Sequence, residues 1–296
     1  MEKTLAKGLI VLEALVRHGA PCGVSDLAVA LGISKSNTHR LLNTLVDTGY
    51  VSAADGRYFA SLKTWELGTL VIAGYDVRDL ARPAMTRLVR ETAEGVRLTV
   101  LDLKALEVVY IDKIDSPQDV RTFTEIGGRA PAQCTSSGKI LLAYQDEAVI
   151  RRAARRLPAR TSRTIVDPVK FIRHLERARA DGYAVNQREL SSQVSGVAAP
   201  IFDQDNQIIA ALSIAAPADR LPLNRLKTVA GLLCRAAASV TARMQPSGSA
   251  AFQLPTLVFG RGRHKAKPGR GTRAWRSRGA AGKMLEIQMS LVRDDS

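Results

Sequence analysis

The side chains best suited to bind a ligand occur in the segment 25–48, SDLAVALGISKSNTHRLLNTLVDT. Ala28 is small where two helices must approach closely, Gly32 provides a sharp turn, and Ile33 with Leu41 closes the joint core, which is typical of a helix-turn-helix. The other face of the second helix carries side chains that can reach phosphates and base edges: Ser34, Lys35, Ser36, Asn37, His39, Arg40, Asn43 and Thr44. Arginine pairs with guanine, asparagine with adenine, and lysine or serine with phosphate, so this face predicts DNA binding.

A short hairpin is predicted after this segment. Asp55-Gly56 separates two β-prone pairs of residues, and Asp-Gly in such a place is a strong signal for a tight turn. The hairpin would form a wing with Arg57 at its tip, able to reach the DNA backbone or the minor groove. The alternative is a plain three-helix core whose polar face is only solvated. Each polar residue fits that alternative, whereas the whole string favours DNA binding.

The N-terminal region has little net charge, since residues 1–75 hold seven basic and six acidic residues. DNA affinity would therefore need two copies of the domain and the oriented dipoles of helix N-termini.

A second chemical candidate is the string Cys134 to Lys139, CTSSGK, which precedes an apolar helical run. Small residues at a helix start expose free amides, and the helix dipole favours an anion there. The amides of Ser136 to Gly138 and the hydroxyls of Thr135 and Ser137 could hold a carboxylate. The residues taken alone favour the simpler alternative, an ordinary helix N-cap.

Enzyme and metal chemistry find little support. The sequence has no GxSxG or HExxH motif, and Gly138-Lys139 lacks the other residues of a phosphate loop. Cys134 has no histidine nearby in the sequence, and the four histidines do not cluster. Glu107, Asp112 and Asp115 are predicted to lie on the exposed face of a strand. We therefore predict no catalytic residue, no metal site and no cofactor.

Composition places the chain among soluble proteins of roughly two domains, with 296 residues and 46% hydrophobic residues. The longest apolar stretch, residues 208–216, is far short of the ~20 residues of a membrane span. No basic-then-apolar leader opens the sequence, and the three cysteines are far apart. We expect a cytoplasmic protein without a membrane partner.

The net charge of +15 favours polyanionic partners, but much of it lies in residues 245–296, with ten basic and three acidic residues. This Arg/Gly-rich tail is predicted to be disordered. It could bind RNA or DNA nonspecifically through charge and through stacking on Trp275. The alternative, which we favour, is a solvated extension.

Apolar periodicity predicts the elements that must position these residues. One helix covers 4–18 and ends at Gly19, a second begins at a Ser25 cap, and a third begins at a Ser34 cap and stops at Gly49. The later helices are predicted at 62–73, from 77 onward, and at 136–144, 146–157, 167–181 and 223–244. Strands are predicted at 97–102, 107–114, 198–202 and 207–215. This mixture indicates an α+β fold.

Several segments together resemble the IclR family of bacterial transcriptional regulators: LAKGLIVLEAL, SKSNTHRLLNTLVDTGYV, GRAPAQCTSSGKILLAY, TIVDP, RADGYAVNQREL and GVAAPIFD. The resemblance covers about residues 3–244 in the family's order and spacing. It implies a winged helix-turn-helix domain at 1–62, a linker helix at 63–78 and a GAF-like effector-binding α+β domain at 79–244, followed here by the tail. It also implies a homodimer or homotetramer that binds operator DNA and a small organic acid or aromatic compound.

The resemblance also implies where the effector binds. Thr135, Ser136, Ser137 and Gly138 match one wall of the family's pocket. The second wall, residues 186–199, supplies four further candidates: Asn186, Val194, Ser195 and Gly196.

This second wall departs from the glyoxylate-responsive member. Asn186 stands where that member has Asp, and Gly196 where it has Cys, which leaves room for a larger ligand. Ser192-Gln193 replaces the usual glycine before this wall. The TSSGK and GYAVN strings are closer to members that sense aromatic acids or their ring-cleavage products.

The sequence thus predicts a DNA-binding transcriptional regulator whose operator binding responds to a small organic acid. The second hypothesis is a protein that binds nucleic acid nonspecifically through the basic tail, with the C-terminal domain serving only oligomerisation.

Overall fold

A computed structural model describes residues 2–73 and 77–244 of the chain. The chain divides into two units between Leu70 and Val71. The predicted disorder of residues 245–296 lies outside the described residues.

The N-terminal unit combines helices with a small antiparallel sheet. Its helices are α1 (Lys3–His18), α2 (Val24–Leu31), α3 (Lys35–Asp47) and α4 (Leu62–Ala73), the last of which runs on past Leu70. Its strands are β1 (Cys22–Gly23), β2 (Val51–Ala54) and β3 (Arg57–Ala60), in the order β1-β3-β2. Helices α1 to α3 and the sheet enclose one apolar core, whose buried members include Val11, Leu15, Leu27, Leu42 and Tyr58.

Two of the predicted helix caps differ in the structure. The sequence predicts Ser25 as the cap of α2, but the helix begins at Val24, and Gly23 is the N-cap residue. Ser34 is the N-cap of α3 as predicted, yet its hydroxyl makes no capping hydrogen bond. The first amides of α3 therefore donate no hydrogen bond to the cap side chain.

The C-terminal unit is built on a six-stranded antiparallel sheet. In chain order the strands are β4 (Val96–Asp102), β5 (Glu107–Ile114), β6 (Arg129–Pro131), β7 (Ala184–Gln187), β8 (Val194–Phe202) and β9 (Ile208–Pro217). Their order across the sheet is β6-β5-β4-β9-β8-β7. The short edge strands β6 and β7 were absent from the sequence prediction, because three or four residues carry little alternation.

Five helices cover the two faces of this sheet. They are α5 (Val77–Thr92), α6 (Ser136–Ala143), α7 (Glu147–Ala154), α8 (Pro168–Asp181) and α9 (Leu223–Thr241), with a 3-10 turn at Ala132–Cys134 before α6. Alternate side chains of a strand point to opposite faces. In β8, Val197 and Ala199 pack with residues of α5 and α9, whereas Ala198 packs with residues of α6 and α8. We call these the α9 face and the α6 face. The predicted α+β class is confirmed.

Several element bounds differ from the sequence prediction. The helix predicted at 146–157 is the shorter α7, β8 begins four residues before 198, and α9 ends at Thr241. Val77 and Arg78, predicted to belong to the linker helix, begin α5.

Asp112 corrects the prediction of an exposed acidic strand face, because its side chain is buried. Its carboxylate lies 2.5 Å from Arg82 Nη1 and 3.8 Å from Arg78 Nε, both on α5. These two ion pairs of Asp112 therefore connect α5 to β5. In the described ranges, no helix combines the length and apolar character needed to cross a membrane.

Candidate DNA-binding and effector sites

The polar face of α3 is well separated from its buried face. Thr38, Leu41 and Leu42 are buried, and at 100° per residue they fall on one side of the helix. Of the predicted DNA-binding residues of α3, Ser36, His39, Arg40 and Asn43 fall on the other side and are exposed. Asn37 lies at the border of the buried face and is half-buried, and Lys35 is exposed in the first turn. The structure thus brings them together on one accessible surface.

Side-chain contacts on this surface are few and weak. Arg40 Nη2 donates to Asn37 Oδ1 at 3.3 Å, and Asn43 Nδ2 lies 3.5 Å from His39 Nδ1. At the N-terminus, the cap residue Ser34 leaves the first amides of α3 without a side-chain acceptor. Free amides at the positive end of a helix dipole are suited to bind a phosphate.

The predicted wing is formed by β2 and β3. Asp55 and Gly56 both have positive φ, 50° and 71°, as a tight two-residue hairpin turn requires. Arg57 follows the turn as the first residue of β3 and is exposed, and its Nη1 donates to the carbonyl of Pro21 at 3.3 Å. This hydrogen bond holds its side chain toward β1 instead of leaving it free at the wing tip.

At the start of α6, part of the predicted anion cradle is already engaged. Thr135 is the N-cap, and its hydroxyl accepts a hydrogen bond from the Gly138 amide at 3.1 Å and donates to Pro131 O at 3.1 Å. The hydroxyl of Thr135 and the amide of Gly138 thus cap the helix, and their role in holding an effector stays a prediction. The structure records no hydrogen bond from the hydroxyls of Ser136 or Ser137, both buried, to any described residue.

The four residues of the second predicted wall divide between the two faces of the sheet. A Cβ at Gly196 would lie 3.3 Å from Ser136 Oγ, so Gly196 faces α6. It would also lie 3.0 Å from the carbonyl oxygen of Ile214, so the prediction that Gly196 leaves room for a larger ligand is wrong. Its neighbour Ser195 points the other way and lines a cavity of about 430 Å³ on the α9 face with Leu221 and Leu226. Asn186 pairs with Gly196 across β7 and β8, while Val194 lies at the start of β8 and is half-buried. Ser195 is therefore separated from the candidates at the α6 N-terminus.

A buried ion pair that the sequence did not predict lies beside Asn186. Lys139 is fully buried, and its Nζ lies 2.5 Å from Glu189 Oε1. Burial lowers the pKa of the Lys139 ammonium, an effect that Glu189 opposes. The Glu189 amide donates to Asn186 Oδ1 at 2.8 Å, and Glu189 Oε2 is buried without a hydrogen-bond partner among the described residues. A lysine within the apolar run of α6 was the available sequence signal.

Two titratable groups near this pair are held in their neutral forms. Burial raises the pKa of the Cys134 thiol to about 11, so it is not a nucleophile at neutral pH. Burial, together with the charge of Lys139, lowers the pKa of His174 to about 4. No group of three metal-ligating side chains occurs within residues 2–73 and 77–244.

Family comparisons match both units. The model described as IclR helix-turn-helix domain matches residues 4–54, and that described as Bacterial transcriptional regulator IclR C-terminal matches residues 69–242. The chain belongs to the IclR family. It is a transcriptional regulator with a helix-turn-helix DNA-binding domain and a C-terminal effector domain.

Individual relatives agree with this assignment. The IclR-family chain is 33% identical to the HTH-type transcriptional regulator KipR of Bacillus subtilis (strain 168) over 76% of its own length and 90% of the relative's. The crystal structure of the Thermotoga maritima IclR has a TM-score of 0.68 and 28% identity, covering 82% of this chain and 99% of that one. Because the relatives are transcriptional regulators, the protein is not an enzyme.

One similar structure contains an aromatic acid. It is an IclR homolog from Microbacterium hydrocarbonoxydans complexed with 4-hydroxybenzoate, with a TM-score of 0.71 and 26% identity, covering 81% of this chain and 98% of that one.

Proposed function

We propose that this IclR-family regulator binds operator DNA through α3 and the wing. The observation that carries the proposal is the exposed polar face of α3 beside free N-terminal amides. In this arrangement Lys35, Ser36 and the amides after Ser34 bind phosphates, and Asn37, His39, Arg40 and Asn43 reach base edges. Arg57 contacts the DNA backbone through the guanidinium N–H groups that do not bond to Pro21.

Arg40→Ala is expected to weaken binding to the specific operator by about 1–3 kcal/mol, because a bidentate contact with guanine would be lost. The measurement is a fluorescence-anisotropy titration of the operator and of a random duplex at fixed salt. Arg17→Ala is the matched control, since Arg17 is an exposed arginine of α1 paired with Glu13. Equal losses on both duplexes would make Arg40 a phosphate contact, and no loss on either would remove it from the interface.

We propose that two copies associate through α1 and α4. No described residue of α4 is buried, and Trp65 and Leu70 are 68% and 69% exposed. Leu5 and Leu9, one helical turn apart on α1, are also exposed. Apolar side chains exposed in this number mark an interaction surface, and a second copy supplies the second of the two recognition helices that a palindromic site requires.

Trp65→Asp is expected to weaken self-association at least about tenfold, because large buried aromatic residues dominate interface energies. Sedimentation velocity over a concentration series measures the effect. Glu66→Gln, at an exposed position of the same helix, is the control. A Trp65→Asp protein that associates like the wild type would contradict the α4 interface.

We propose that a small organic acid binds on the α6 face, between the N-terminus of α6 and the strand pair β7–β8. Support comes from the buried hydroxyls of Ser136 and Ser137 and from the nearby Asn186. The aromatic acid in the Microbacterium homolog supports an aromatic ligand here. Binding of the acid would change the relative position of the two DNA-binding domains of a dimer, and therefore the spacing of the half-sites that they recognise. The regulator would act in the cytoplasm.

A thermal-shift screen with 4-hydroxybenzoate, benzoate, pyruvate and glyoxylate tests the effector class. A ligand at 100 times its Kd stabilises the folded protein by about 2.7 kcal/mol, so at least one acid is expected to raise Tm by several degrees. No stabilisation by any of these carboxylates would contradict the proposed acid class, while leaving the DNA-binding proposal intact.

A further inference from the structure

Arg97, in the middle of the C-terminal unit, is a buried cation bonded only to uncharged groups. It is 4% exposed, and its Nε donates to Thr124 Oγ1 at 2.8 Å. Nη1 donates to the carbonyls of Gly95 and Ala215 at 3.2 and 3.4 Å, and Nη2 to the carbonyl and hydroxyl of Thr122. Among the described residues, no carboxylate lies within ion-pairing distance of this guanidinium.

The nearest carboxylates are committed to other cations. Burial lowers the pKa of Arg97 and outweighs the opposing effects of Tyr110, Asp115 and Glu94. Glu94 forms two 2.8 Å hydrogen bonds with Arg220, and Asp115 lies 2.9 Å from Lys113 Nζ. The positive charge of Arg97 is therefore not balanced locally, which is costly for a buried ion.

This charge lies beside the proposed effector site. Arg97 pairs with Ser213 across β4 and β9, and its Nη1 reaches the carbonyl of Ala215 on the same strand β9. Ala215 in turn pairs with Gly196, whose Cβ position lies 3.3 Å from Ser136 Oγ. A continuous path of contacts thus links the guanidinium to the N-terminus of α6.

Arg97 also holds the segment between β5 and β6 against the sheet, through Thr122 and Thr124. All five N–H donors of the guanidinium are used in these contacts. Its effect on a ligand would therefore be exerted by charge, which in a buried site favours an opposite charge held within about 4–6 Å.

We propose that Arg97 is the specificity-determining cation of the effector site, which selects a carboxylate over a neutral ligand of the same shape. The inference rests on the proposed effector site. A bound carboxylate would lie between the guanidinium and the N-terminus of α6. The ligand would then supply the negative charge that no described carboxylate provides to Arg97.

The test measures binding of 4-hydroxybenzoate and 4-hydroxybenzamide to the full-length protein by isothermal titration calorimetry. The two probes share a ring and a hydroxyl and differ in charge. Wild type and Arg97→Lys, which keeps the charge, are expected to prefer the acid at least about tenfold. Arg97→Met is expected to bind both equally, whereas Arg129→Met, at an exposed position on β6, should behave as wild type.

The outcomes separate the two proposals. Wild type that binds neither probe contradicts the aromatic ligand proposed for this site, and the inference with it. Wild type that binds both equally, or Arg97→Met that keeps the acid preference, overturns the inference alone.

If Arg97→Met does not fold, a crystal structure of the wild-type complex with 4-hydroxybenzoate decides. A carboxylate within about 6 Å of the guanidinium supports the inference, and a carboxylate at the far end of the site overturns it.

Discussion

Glu189→Ala is expected to lower the free energy of unfolding of the C-terminal unit by about 3–5 kcal/mol. The variant would leave the ammonium of Lys139 fully buried without its one ion-pair partner among the described residues, which lies 2.5 Å away in the wild type. Desolvating an unpaired charge costs far more than the net contribution of a well-formed pair. Urea unfolding followed by circular dichroism measures the change in the midpoint and in the slope.

The double variant Lys139→Met, Glu189→Leu is the control. It removes both charges and keeps apolar volume, so it is expected to recover most of the loss, because apolar replacement of a buried pair is often neutral or stabilising. In Glu189→Ala the pKa of Lys139 would fall further below its unfolded value, since the attraction that opposes burial is gone. Between the lowered pKa of Lys139 in the folded state and its ordinary value of 10.5, the unfolded state binds more protons than the folded state. The free energy of unfolding of the variant should therefore rise with pH across this range. A single variant within about 1 kcal/mol of wild type would contradict the uncompensated-charge account.

Gly138→Ala is expected to destabilise the same unit by about 3 kcal/mol or more, because the added methyl group has no space. Its Cβ would lie 2.2 Å from Ala132 O and 2.3 Å from Ala132 Cα. These are backbone atoms, so no side-chain rotation can relieve the overlap, and the 3-10 turn would have to move away from α6.

Gly231→Ala is the matched control for this substitution. Gly231 also lies within a helix of the C-terminal unit, and its closest potential contact is a flexible arginine end at 3.6 Å. Alanine there is expected to be neutral or to stabilise by about 0.5–1 kcal/mol, because it restricts the unfolded chain. Thermal unfolding of the two variants side by side measures the difference, and equal melting temperatures would show that the turn yields to the methyl group.

Local patterns were sufficient to predict most of the elements. The stripe of Leu5, Leu9 and Leu12 predicts α1, and Gly19 ends it with a φ of 68°. Asp55-Gly56 predicts the wing for a similar local reason. The small edge strands β1, β6 and β7 exist only through pairing with another strand, so their own two to four residues could not reveal them.

The effector region was less predictable, because it depends on which face of the sheet each residue occupies. Ser195 and Gly196 are adjacent in sequence, yet they point to opposite faces, toward α9 and α6. Glu189 reaches Lys139 across 50 positions of the chain, and Arg97 reaches Ala215 across 118. Asp112 was expected on a solvated face because nothing in its own strand shows that Arg82 covers it.

The central claim, that the helix-turn-helix reads a specific DNA site, is tested most directly by footprinting the promoter region that flanks the protein's own gene. The assay uses fixed salt and an excess of random duplex, with the full chain and with a variant that lacks residues 246–296. The account predicts a protected palindromic site for both proteins, with a shallower salt dependence for the shortened one. Binding that random DNA abolishes, and that disappears when the basic tail is removed, would contradict the account and favour nonspecific binding through the tail.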